Sequence, residues 1–112
     1  MRKVLATAVV LGIGLVSVEA HALDRGDPER GKQLSAACVA CHDADGNSSN
    51  PQFPRIAGQH ADYMVQALKA YKSGARKNAI MAGIVTGLSE QDMEDLAAYF
   101  SRQKGDLYSK SL

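Results

Sequence analysis

The chain has 112 residues, with 13 Lys and Arg against 12 Asp and Glu and a formal net charge of +1. That length fits one small domain, and scattered charges of both signs leave no basic stripe for nucleic acid. Trp is absent and four Tyr and two Phe supply all the aromatic bulk, so a core of protein alone would be thin and a large apolar cofactor would fill it.

In chain order, Arg2 and Lys3 precede an almost wholly apolar run from Val4 to Val18, followed by Ala20-His21-Ala22 in the A-x-A form of a signal-peptidase site. Residues 1–22 therefore read as a signal peptide removed on export, and 23–112 as the mature domain. The apolar run is short of the ~20 residues needed to span a bilayer, so no stable membrane insertion is expected after cleavage. Loss of Arg2, Lys3 and Glu19 leaves acids and bases equal in number.

Asp27, Pro28 and Glu29 read as an N-cap, a proline at the first helical position and an acid in the first turn, opening a helix to about Ala37. Gly31 lies inside it, either to permit close helix contact or as a tolerated glycine. Asp43 to Gly58 is dense in Gly, Asn, Ser, Asp and Pro and predicts a long loop wrapped around something functional. Its Asn47-Ser48-Ser49 matches a glycosylation sequon but reads as turn chemistry.

From His60 to Lys72, Tyr63, Met64, Ala67, Leu68 and Tyr71 recur at helical spacing, and Ser73-Gly74 ends the pattern. After Arg76-Lys77-Asn78, the small apolar segment Ala79 to Gly87 reads as a loop with a short helical turn and carries Met81. A final helix is capped by Ser89, with Glu90 and Asp92 in its first turn. Met93, Leu96, Ala97 and Phe100 form its stripe, and it ends with Arg102, Lys104 and Gly105. No segment alternates with period two, so the fold class is all-α with three or more helices.

Cys38-Val39-Ala40-Cys41-His42 is C-x-x-C-H, in which two thiols on one helical turn can form thioethers to two vinyl groups while the adjacent imidazole reaches an iron. A Cys38–Cys41 disulfide or a thioredoxin-like redox pair competes with this reading, the latter without its βαβ context. Zinc held by Cys38, Cys41, His42 and His60 also competes. Covalent haem, with His42 as a metal ligand, is preferred. The second axial ligand is assigned to Met81, which follows a polar turn between helices; Met64 and Met93 lie on helical stripes as ordinary core. Met64 is the main competitor, with His60 behind it.

At these residues the chain resembles the class I cytochromes c, and among them the small bacterial periplasmic monohaem type similar to one half of the tandem dihaem cytochromes. The likeness runs through Gly31-Lys32, CVACHDADGNS, FPRIAGQHADY, the Met81 segment and LSEQDMEDLAAYF. It implies helices wrapped around one covalently bound haem c, with Cys38 and Cys41 as thioethers and His42 and Met81 on the iron. It further implies that the Pro54 carbonyl accepts a hydrogen bond from the other ring nitrogen of His42, that Ile56 packs on the haem edge, and that Gly31 meets Tyr99 or Phe100. Only one haem motif and no additional cysteine pair are present, so one haem and no disulfide are expected.

An iron held by both His42 and Met81 has no open position for substrate, which predicts an electron carrier rather than an enzyme. The expected protein is a periplasmic monomer that docks transiently on redox partner proteins. The alternative is a haem-bearing electron-entry subunit of a periplasmic oxidoreductase complex, with a gas sensor or peroxidase as a third class. Lys69, Lys72, Arg76 and Lys77 are candidates for a docking face or simply a solvated one.

Overall fold

The computed structural model describes residues 26–105, so the signal peptide expected at 1–22 lies outside the described residues. Five helices and no strand occur among them: α1 (Pro28–Leu34), α2 (Ala36–His42), α3 (Ala61–Ser73), α4 (Ala79–Val85) and α5 (Glu90–Ser101).

The single opening helix predicted to reach Ala37 is two helices broken at Ser35. Asp27 starts α1 as expected, its carboxylate accepting the N–H groups of Glu29 and Arg30 at 2.9 and 3.2 Å. At Ser35 the hydroxyl donates to the Lys32 carbonyl at 2.7 Å, and the backbone N–H turns to the same oxygen at 3.3 Å. A serine side chain that competes for backbone acceptors bends or ends a helix. Both cysteines and His42 consequently sit on a short helix of their own. It stops at Asp43, the one non-glycine residue with positive φ (63°) among those described.

Helices α1 and α5 touch at the level of their backbones. A Cβ on Gly31 would stand 1.9 Å from the Asp95 carbonyl oxygen and 3.0 Å from Tyr99 Cβ, so only glycine allows this crossing. Of the two neighbours expected, Tyr99 and Phe100, it is Tyr99 that is met; the tighter contact, one turn earlier, is Asp95. The Asp95 carboxylate is buried, 1% exposed. It accepts the Asp27 N–H at 2.8 Å and the Gln91 amide at 2.9 Å, and it pairs with Arg30. Arg30 reaches Asp92 as well, at 2.7 Å. Burial opposes ionisation of Asp95, but these donors outweigh it and hold the carboxyl below the usual range.

The core is built from Met64 of α3 and Leu96, Ala97 and Phe100 of α5. Burying Phe100 and Leu96 contributes roughly 2 kcal/mol each. Helix α3 ends on Gly74 in the left-handed region (φ 80°). Helix α5 begins with a reciprocal capping box, Ser89 Oγ accepting the Asp92 N–H at 3.1 Å and Asp92 accepting the Ser89 N–H at 2.9 Å. It ends at Ser101, earlier than the Lys104 expected, with Arg102 as its C-cap.

Ala79 to Val85, expected as a loop with a helical turn, is a full helix, α4. Its outer face is apolar, with Ile80 and Ile84 exposed, so the sequence shows no polar-to-apolar period there. The 43–58 segment is a loop, as read, but it is pinned. Gly46 (φ 80°) accepts the N–H groups of Ile56 and Ala57 at 2.8 and 3.1 Å, and Gly58 donates to the Phe100 carbonyl at 2.9 Å. The Asn47 amide donates to Asp45 and to the Lys104 carbonyl at 3.0 and 2.9 Å, which makes it turn chemistry rather than a free glycosylation acceptor.

Candidate functional site

A cavity of about 330 Å³ opens where α2, the 43–60 loop, α3, α4 and α5 meet. Cys38, Cys41 and His42 line it from α2, Pro54 and Ile56 from the loop, and Met81 from α4. All six residues singled out from the sequence thus reach one cavity. Its remaining walls include Leu68, Leu96 and Phe100.

The break at Ser35 gives α2 its own direction, and its C-terminal end is tied down. Ser48, 4% exposed, donates to the Cys41 carbonyl at 3.1 Å. His42 is buried, with Nδ1 lying 2.8 Å from the Pro54 carbonyl oxygen. A carbonyl only accepts, so Nδ1 is the donor here and Nε2 is the ring nitrogen that could bind a metal. Ile56 packs on the core cluster as well as lining the cavity.

Cys38 and Cys41 are free thiols. Burial, assisted by the neighbouring Cys41, raises the Cys38 pKa. His60 is the exposed N-cap residue of α3 and lies outside the cavity lining. No group of three or more His, Cys, Asp or Glu able to hold a metal ion occurs among the described residues, which leaves the zinc reading without its fourth ligand.

Of the three methionine candidates, Met93 is 1% exposed and outside the lining. Met64 lines the cavity but is also part of the core, 8% exposed and packed with Leu96, Ala97 and Phe100. Met81 lines it from the first turn of a helix, not from a loop as the sequence suggested, and is not part of that core cluster.

Two basic residues of the lining, Arg55 and Arg76, were not picked out as site residues in the sequence. Arg55 Nε donates to the Ser48 carbonyl at 3.2 Å, and the Arg76 guanidinium carbon lies 4.9 Å from the Tyr71 ring centroid. Arg55 stands between Pro54 and Ile56, a placement that could have flagged it. Of the proposed basic face, Lys69 pairs with Glu90 at 3.0 Å and Lys72 donates to the Leu88 carbonyl.

Haem c calls for two thiols, an axial nitrogen, a further axial donor, apolar walls and cations for two carboxylates, and this donor set meets each requirement. The exposed large hydrophobic residues agree with that fit. Tyr63, Ile80 and Ile84, at 50%, 60% and 36% exposure, all line the cavity, where an apolar macrocycle would cover them.

Residues 28–104 match the family model described as Cytochrome c. Cytochrome c4 of Pseudomonas aeruginosa is 44% identical over 104 residues, which cover 93% of this chain and 50% of that protein. Cytochrome c-554(548) of Halomonas halodenitrificans is 42% identical over 82 residues, covering 70% of this chain and 99% of that protein. Among solved structures, reduced recombinant cytochrome c4 from Pseudomonas stutzeri superposes with a TM-score of 0.69 at 45% identity, covering 73% of this chain and 48% of that one. The chain thus spans about half the length of the cytochrome c4 relatives it matches.

Proposed function

The chain belongs to the cytochrome c family, and from that premise we propose that it is a periplasmic electron carrier with a single covalent haem c, ligated by His42 and Met81. When bound, haem c supplies a one-electron ferric/ferrous couple. Cys38 and Cys41 would hold it through two thioethers. His42, with Nδ1 engaged by Pro54, would present Nε2 to the iron in a fixed orientation. Met81 would fill the other axial position and raise the potential. Arg55 and Arg76 would supply positive charge for its two carboxylates, and Ile56 an apolar contact.

The observation that carries this reading is the convergence of Cys38, Cys41, His42 and Met81 on one apolar cavity. With His42 and Met81 both holding the iron, no position would be left for oxygen, peroxide or substrate, which favours transfer over catalysis at the metal. A relative matched over 99% of its length by part of this chain supports a domain that works without a covalent twin. Export rests on the 1–22 leader, and no described helix is long and apolar enough to cross a membrane. Transient docking of a monomer on redox partner proteins follows from one small domain presenting one cofactor.

A spectropotentiometric titration of the purified holoprotein tests the carrier reading. One haem per chain and a single one-electron transition are expected. Two transitions, or oxidation of the ferrous protein coupled to turnover of peroxide, would overturn it.

A further inference from the structure

Met81 enters the cavity on α4, a helix with little packing of its own. Of its seven residues only Val85 is buried, Ile80 is 60% exposed, and no atom lies within 4 Å of where a Cβ on Gly83 would stand. Burial therefore does little to fix the turn that carries Met81. Polar contacts at the start of that turn do more. Asn78, extended at φ −159° and ψ 114°, is the N-cap of α4, and its side-chain oxygen accepts the Met81 N–H at 3.0 Å. Its carbonyl accepts the Ala82 N–H at 2.9 Å. Just upstream, the Arg76 N–H donates to the Ala70 carbonyl at 3.0 Å while its guanidinium rests on Tyr71. The cap is thus anchored to the end of α3 on one side and to the backbone of Met81 on the other.

We propose that Asn78 is a positioning residue for the distal ligand: by holding the Met81 N–H it fixes the first turn of α4 and keeps the thioether at the cavity. This rests on Met81 being that ligand. Without the side-chain acceptor the first turn frays more often, since a lost Asn cap weakens a helix start by an amount that matters in a seven-residue helix. Each such excursion withdraws Met81. An external ligand that competes for the same position then binds more tightly, by the factor through which the Met81-engaged state has been weakened.

The test is titration of the ferric holoprotein with imidazole, followed together with the weak long-wavelength charge-transfer band of a thioether-ligated ferric haem. Asn78→Ala is expected to tighten imidazole binding roughly fivefold, the change that corresponds to a typical cap. Asn78→Ser, which restores an acceptor, should return to within about twofold of the unmodified protein. Ser89→Ala removes the cap of α5, which carries no ligand, and should leave imidazole affinity unchanged. If Asn78→Ala yields no folded holoprotein, Asn78→Val, which also lacks the acceptor and caps as poorly as alanine, is measured in its place. Unchanged affinity in the Asn78 variant, beside tight binding and loss of the band in Met81→Ala, would overturn the positioning role and leave Met81 as ligand. Equal tightening in Ser89→Ala would overturn it as general loosening. A band that survives Met81→Ala would remove the ligand assignment and this proposal with it.

Discussion

The Nδ1 of His42 and the carbonyl oxygen of Pro54 are 2.8 Å apart across the cavity rim, joining the end of α2 to the loop that follows it. This contact makes Nδ1 the donor, and it couples the imidazole to a backbone atom that no side-chain substitution removes. The loop beyond is fastened in turn to Gly46 and to α5. Orientation of the His42 imidazole is therefore a property of the folded loop.

Two thioethers are expected, one from each cysteine. The haem should stay with the chain through acidified organic solvent extraction in Cys38→Ala and in Cys41→Ala, each retaining one bond, and be lost in the double variant. Haem staining after denaturing electrophoresis reads this directly, and haem released from the unmodified protein would contradict it.

Asp95→Ala should destabilise the holoprotein by about 2–3 kcal/mol in chemical denaturation. It strips the buried acceptor from the Asp27 N–H, Arg30 and Gln91 at once and unties α1 from α5. Arg30→Gln should cost less, because the buried Asp95 carboxylate that it leaves without its ion pair still accepts from the Asp27 N–H and the Gln91 amide. Equal losses in the two variants would contradict this ordering.

The same carboxylate gives acid sensitivity with a definite sign. Asp95 is held low against the opposition of burial, and Asp92 is held low by the Ser89 backbone N–H and by Arg30. A group with a folded pKa below its unfolded value stabilises in full above the unfolded value and loses that contribution as pH falls through the folded one. The melting temperature should accordingly be insensitive to these groups near neutrality and fall below the ordinary Asp value of 3.8. In Asp95→Asn the fall should be shallower, and an unchanged acid limb would remove Asp95 from the account.

Gly31→Ala should cost about 2 kcal/mol or more although it favours helix locally, because its Cβ would meet the Asp95 carbonyl and force α1 and α5 apart. A neutral or stabilising result in thermal melts would show that this crossing has slack.

How much of this was legible in the sequence depends on how local each feature is. The haem motif is contiguous, so Cys38, Cys41 and His42 stand out without any fold, and the caps at Asp27 and Ser89 obey rules that span three residues. The break at Ser35 was missed because a serine inside a helical pattern declares itself only through the acceptor it takes, the Lys32 carbonyl. Helix α4 was hidden by its own apolar outer face, Ile80 and Ile84. Nothing local marks Asp95 as buried, since its partner Arg30 is 65 positions away. Asn78 read as plain turn, because its task depends on Met81 lying one turn into a helix that no period announced.

Carbon monoxide binding to the ferrous holoprotein at neutral pH tests the central claim most directly. If His42 and Met81 are the two iron ligands, as proposed, the unmodified protein and Met64→Leu should take up no carbon monoxide, whereas Met81→Ala should bind it readily. Ready binding by the unmodified protein, or a Met81→Ala variant as inert as its parent, would contradict the account.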